Sequence, residues 1–144
     1  DPMAMLPFCG YNMGDYWGHW LSMAKRASNP PKIFRVNWFR RNDQGKFIWP
    51  GFGENLRVLR WVIERSKGAG EADETAIGYV PKASALNGDG LNVSKADLNQ
   101  LVSIDRDGWK SNLKSQGEYF DTFGDHLPTG IKEEHKALAG RLKA

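Results

Sequence analysis

Two consecutive prolines, Pro30 and Pro31, and a second stop at Pro50-Gly51 bracket the segment that most restricts what this chain can fold into. Proline lacks a backbone donor and drives the residue before it out of the helical region, so no regular helix runs through either point. Between the stops, Phe34, Val36 and Trp38 alternate with Arg35 and Asn37, a period of two carried largely by β-favouring side chains. Arg41-Asn42-Asp43-Gln44-Gly45 reads as a polar turn and Lys46 to Trp49 as a return strand. The spacing therefore predicts a β-hairpin over residues 32–49, closed by a glycine-containing loop.

Helical spacing governs most of the rest. Tyr16, Trp17, Trp20, Leu21 and Ala24 share one face and predict a helix over residues 14–25, broken by Ser28, Asn29 and the prolines. After the loop Gly51-Phe52-Gly53-Glu54-Asn55, the residues Leu56, Leu59, Val62 and Ile63 mark an amphipathic helix to about Ser66, with Gly68 and Gly70 placed to end it. Residues 67–74 read as a polar linker, and Ile77 to Val80 as a short extended piece stopped by Pro81. Ser94 with Asp97 resembles a capping pair ahead of a short helix through Leu98 and Leu101. Trp109, Leu113, Gln116, Phe120 and Phe123 step by four, three, four and three along another helix. Thr129 is placed to cap a last one, whose apolar side is Ile131, Leu138 and Leu142.

Composition bounds the class. A length of 144 residues, 40% hydrophobic and 26% charged, suits one soluble globular domain, and no apolar run approaches a membrane span. Cys9 is the only cysteine, which excludes an intrachain disulfide and favours a reducing compartment. Six tryptophans, four of them before position 50, are more large rings than a small unit easily buries. Together with an opening Asp1-Pro2-Met3 that runs straight into apolar residues, they lead to the expectation of a piece of a larger protein. A net charge of +3 permits an anionic partner, but Lys and Arg are interleaved with Asp and Glu, so basicity alone decides nothing.

The chemistry is concentrated in the aromatics of the bracketed segment. Phe34, Trp38 and Trp49 read as core. Phe39 is one residue out of phase with Phe34, Val36 and Trp38, which points it to the opposite face. Phe52 sits between two glycines after a proline, where no regular element buries it and the backbone can approach a ligand. A planar guest suits both rings, since every nucleobase has a π face worth about 1–3 kcal/mol per stack. Asn55 has an amide able to meet a purine edge, or equally to serve as the N-cap of the helix that follows.

The segment Phe34 to Asn55, FRVNWFRRNDQGKFIWPGFGEN, closely resembles the guanine site of the GTP-dependent phosphoenolpyruvate carboxykinases. MAMLPFCGYNMGDYWGHWLSM resembles the stretch after the mobile lid in that family, and IGYVPK resembles a later short extended piece. The likeness spans the chain; to about Lys82 it is carried by motif, and beyond that by length and pattern. Leu6 and Cys9 stand where the vertebrate-like pattern has Arg and Phe, which suits a bacterial-type member and touches neither stacking ring.

The resemblance implies that Phe39 and Phe52 sandwich the base, Phe47 closes its edge, Asn55 bonds the guanine, and Gly53 and Glu54 complete the surrounding contacts. It implies an α/β fold class: the helix-rich C-terminal part of the family's nucleotide-binding domain, with one β-hairpin and several helices. Residues 1–82 would carry the guanine-site hairpin and its flanking helices, and residues 83–144 a helical layer. The implied parent is a cytoplasmic, monomeric enzyme of gluconeogenesis. It decarboxylates oxaloacetate and transfers the γ-phosphoryl of GTP, giving phosphoenolpyruvate, carbon dioxide and GDP, with Mn2+ and Mg2+ as its metals.

None of the metal or phosphate machinery is expected here. No G-x-x-x-x-G-K-[ST] run is present, and His19, His126 and His135 lack the paired spacing of a metal site. Glu133 and Glu134, beside His135, fall in the first turns of a helix, where acids favour the dipole. No catalytic residue and no metal ligand is assigned, and the chain by itself is expected to be inactive. The competing reading is a single-stranded RNA- or DNA-binding module, since WFRRNDQGKFIW interleaves basic residues with aromatics. Against it, only one hairpin is legible where an RNA-recognition sheet needs four strands. A purely structural interaction domain is the third reading, and it requires Phe39 and Phe52 both to be buried by protein.

Overall fold

The computed structural model describes residues 4–86 and 90–143; the opening Asp1-Pro2-Met3 lies outside them. In chain order the regular elements are helices α1 (Met13–Arg26) and α2 (Asn55–Ser66), strands β1 (Ala72–Thr75) and β2 (Gly78–Pro81), and helices α3 (Ala83–Leu86), α4 (Lys95–Val102), α5 (Arg106–Asp121) and α6 (Thr129–Leu142). The chain divides into two compact units, Asp1–Pro31 with Asp105–Ala144, and Lys32–Ile104. Among the described residues, no helix is long and apolar enough to cross a membrane.

In the first unit α1 starts where Asn12 Oδ1 accepts a hydrogen bond from the Gly14 N–H at 2.8 Å. Asp15 in its first turn and Lys25 and Arg26 in its last complement the helix dipole. Asp105 caps α5 in the same way, accepting from the Gly108 N–H at 3.0 Å. The core is aromatic: Met13, Trp17, Phe123 and Leu127 are buried, with Tyr16, Tyr119, Phe120 and Ile131 packed against them. The Trp17 ring lies 4.7 Å from that of Phe123 and 5.6 Å from that of Phe120, the tilted and edge-on contacts that aromatic quadrupoles favour. Gly14 is demanded by packing, because a Cβ there would fall 2.3 Å from the His126 carbonyl oxygen. Thr129 proves to be the first residue of α6 rather than its cap; Pro128 holds the cap position and supplies no side-chain bond.

In the second unit the buried side chains are Ile48, Trp49, Trp61, Leu86 and Leu98. Trp61 orients α2: its indole N–H donates to the Glu71 carbonyl at 2.9 Å, and Phe34 packs edge-on against it at 5.8 Å. The helix expected over residues 56–66 is there, but with its faces exchanged, since Leu56, Leu59 and Ile63 are exposed while Trp61 is buried. α4 begins as anticipated, with Ser94 Oγ accepting from the Asp97 N–H at 3.1 Å.

The fold is α/β and helix-rich, with one antiparallel hairpin among the described residues, but that hairpin lies elsewhere in the chain than the alternation suggested. β1 pairs with β2 from Ala72↔Pro81 to Thr75↔Gly78, across the two-residue connection Ala76-Ile77, and Gly78 at the start of β2 takes φ +115°. Thr75 Oγ1 donates to the Gly78 carbonyl at 2.6 Å and locks the turn. Residues 32–49 form no ladder; a single antiparallel bridge, Arg41↔Phe47, is their only sheet-like pairing among the described residues.

Candidate functional site

The site is built on that isolated bridge. Asn42 Oδ1 accepts from the N–H groups of Gln44 and Lys46, both at 3.0 Å, and Gly45 takes φ +74°, so the chain reverses within four residues. The Ile48 N–H donates to the Arg40 carbonyl at 2.9 Å, which carries the return segment inward until Ile48 and Trp49 are buried. Arg40 fastens the outgoing segment to the end of α4. Its guanidinium donates to the Leu101 carbonyl at 3.0 Å, the Ser103 carbonyl at 2.9 Å and Ser103 Oγ at 3.0 Å. A cation on the last carbonyls of a helix also suits its dipole.

Pro50 and Gly51 then turn the chain outward. Gly51 adopts φ +109° and ψ −155°, a region essentially reserved for glycine. It launches a single 3-10 turn, Phe52–Glu54, that runs directly into α2. Phe52 is thereby held out at 92% exposure, and Phe39 stands at 71%. Among the described residues, Phe52 meets no other ring, while Phe39 meets Phe47 edge-on at 5.9 Å. Arg41 lies over the other ring of that pair, its guanidinium carbon 4.5 Å from the Phe47 centroid.

Phe39, Phe47, Phe52 and Asn55 line one open cleft of about 670 Å³, together with Trp38, Arg41 and Trp49. Gly53 and Glu54 lie off its wall. A Cβ at Gly53 would meet nothing within 4 Å, and the Glu54 carboxylate is paired with the Arg57 guanidinium one turn along. Asn55 is not the N-cap of α2, a position held by Glu54; it is the first helical residue. Its Oδ1 accepts from the Trp49 indole N–H at 2.8 Å. Trp49 and Trp38, read from sequence as core alone, thus line the cleft as well, and Trp49 does so while only 5% exposed.

The histidines stand apart from this cleft. His126 Nδ1 lies 2.9 Å from Asp15 Oδ1, and His135 Nε2 lies 3.0 Å from the Leu113 carbonyl. Among the described residues, no three of His, Cys, Asp and Glu come together in a way that would hold a metal ion.

Residues 1–141 match the family described as phosphoenolpyruvate carboxykinase C-terminal P-loop domain, and the chain belongs to that family. Its relatives there carry the name phosphoenolpyruvate carboxykinase [GTP]. The chain is 48% identical over 144 residues to the protein of Anaeromyxobacter dehalogenans (strain 2CP-1 / ATCC BAA-258), covering 100% of this chain and 24% of that one. It is 48% identical over 145 residues to that of Treponema pallidum (strain Nichols), covering 99% and 24%. To that of Neocallimastix frontalis it is 51% identical over 147 residues, covering 100% and 24%. The chain thus spans about a quarter of the length (24%) of these curated relatives.

Proposed function

We propose that the cleft grips the guanine of GTP or GDP, within a carboxykinase that converts oxaloacetate and GTP to phosphoenolpyruvate, GDP and carbon dioxide in gluconeogenesis. The observation that carries the reading is convergence. In a chain of this family, two large rings are left out in solvent and line the same cleft as an amide at the start of a helix. Exposing a phenylalanine is costly unless something flat covers it, and a base between Phe39 and Phe52 would gain about 1–3 kcal/mol from each ring. Phe47 would close the edge of the base and Asn55 would read its rim, with Gly53 and Glu54 shaping the approach. A purely structural interaction domain would bury both stacking rings in protein, and within this chain nothing covers them. An RNA-recognition sheet would present its aromatics on four strands; the one sheet among the described residues has two and carries only Tyr79.

The role of this chain in that reaction is positioning. Holding the base fixes where the triphosphate ends, and correct placement of a reacting phosphoryl group is a large part of phosphoryl-transfer catalysis. Divalent ions such as Mn2+ and Mg2+ would neutralise the phosphates in the whole enzyme. Among the described residues no three of His, Cys, Asp and Glu cluster to hold one, and the reading assigns no metal ligand to this chain. The reading takes the parent to be a cytoplasmic monomer and this chain alone to be inactive.

Two stacks and an edge contact sum to about 3–5 kcal/mol, which corresponds to roughly millimolar dissociation. Titrating GTP and ATP into the chain should give weak binding with GTP ahead. Micromolar affinity, or a preference for ATP, would refute the assignment.

A further inference from the structure

We infer that Trp49 determines which purine the cleft accepts, by fixing the orientation of the Asn55 amide. The inference rests on the guanine reading above and names a residue that sets its selectivity.

An asparagine amide is nearly symmetric in shape and opposite in chemistry at its two ends. One end accepts two hydrogen bonds and the other donates two. Free to rotate, it serves a carbonyl or an amino group on a base about equally well, and so selects neither. In this structure it is not free. The Trp49 indole N–H can only donate, so the atom it meets at 2.8 Å must be the amide oxygen. A buried indole N–H needs an acceptor, and Trp49 is 5% exposed, so turning the amide over would set two donors face to face away from water.

The backbone leaves little room for evasion. Asn55 is the first residue of α2, and its own N–H is tied to the Phe52 carbonyl, so its Cα is fixed and only side-chain torsions remain. With one lone pair of Oδ1 taken by the indole and the amide held against turning over, the two Nδ2 hydrogens are the donors it presents to a guest in a fixed place. Among the described residues, no other group bonds them.

A cleft that offers donors at its rim favours a purine with an acceptor there. Guanine and hypoxanthine both present a 6-oxo group, whereas adenine presents a 6-amino group that would oppose donor with donor. The Trp49–Asn55 pair should therefore separate 6-oxo from 6-amino purines while treating guanine and hypoxanthine nearly alike, because it does not reach for the 2-amino group.

The test is made in the full-length carboxykinase, measuring dissociation constants for GDP, IDP and ADP by calorimetry. Trp49→Phe keeps a ring in the buried position and removes the N–H. It should lower the preference for GDP and IDP over ADP by roughly 10-fold, equivalent to about 1.4 kcal/mol. Asn55→Asp keeps an acceptor for the indole and removes the donors, so it should fold as the parent does and lose the 6-oxo preference. Combining Trp49→Phe with Asn55→Ala should cost selectivity no more than Asn55→Ala alone, because the two residues act as one unit. An unchanged preference in Trp49→Phe, an equal loss of affinity for all three nucleotides, or a retained 6-oxo preference in Asn55→Asp would each overturn the inference. Failure of the unmutated protein to prefer GDP and IDP over ADP would overturn the guanine reading itself, a result distinct from the others.

Discussion

Replacing Phe52 by alanine separates binding from folding, because the ring lies almost wholly outside the packed interior. Phe52 is 92% exposed, so truncating it removes almost no buried surface, and stability should move by no more than about 0.5 kcal/mol. If the ring forms one jaw of a base clamp, the same truncation removes one stack, about 1–3 kcal/mol. At roughly 1.4 kcal/mol per factor of ten, that is a 5- to 150-fold rise in the dissociation constant for GTP. The loss is one of ground-state and transition-state binding alike, so it should appear in KM, with little change in turnover at saturating nucleotide. The assay pairs steady-state kinetics of the full-length enzyme with a thermal melt of the same sample. An unchanged KM for GTP would refute the clamp. A Tm drop of several degrees with unaltered nucleotide affinity would show instead that Phe52 supports the fold.

Two glycine substitutions probe the frame around that ring and the core of the other unit. Gly51→Ala puts a side chain at φ +109°, ψ −155°, at a cost of about 1–3 kcal/mol, and should raise the KM for GTP by re-aiming Phe52; an unaltered KM and Tm would deny that this backbone is needed. Gly14→Ala would drive a methyl to 2.3 Å from the His126 carbonyl oxygen, a backbone atom that cannot swing aside. Overpacking of this kind should cost about 1–3 kcal/mol in thermal unfolding and leave nucleotide selectivity untouched; a melt identical to the parent's would contradict the packing described.

Periodicity reported some features of this chain faithfully and others not at all. It placed α1, α2, α4 and α5 because helical spacing and caps are local, as the bonds at Asn12, Ser94 and Asp105 show. Alternation at Phe34, Val36 and Trp38 suggested a strand, but whether a strand finds a partner is a non-local matter; residues 32–37 join no ladder, Trp38 and Phe39 lie in a turn, and the single bridge falls later, at Arg41↔Phe47. The real hairpin was hidden because Ala72-Asp73-Glu74-Thr75 has little β preference; its register comes from the turn at Gly78. On α2, Trp61 won the interior over Leu56, Leu59 and Ile63, since a large ring with a hydrogen bond to Glu71 outweighs smaller aliphatics. Phe52, between two glycines after a proline, was legible as a ring that no regular element buries, whereas the strand phase used for Phe39 does not exist: Phe39 lies in a turn and Val36, placed on the core side, is exposed. The Trp49–Asn55 bond was not legible either, because it crosses a Pro-Gly turn whose geometry no pattern of side chains announces.

The guanidinium of Arg40 gives the cleft a remote foundation. By grasping two carbonyls and a hydroxyl at the far end of α4, it makes the root of the aromatic turn and the closing residues of that helix a single mechanical body, although 63 positions separate Arg40 from Ser103. A change at Ser103, distant from any base in the chain's linear order, is a change in the bedplate on which the grip is mounted.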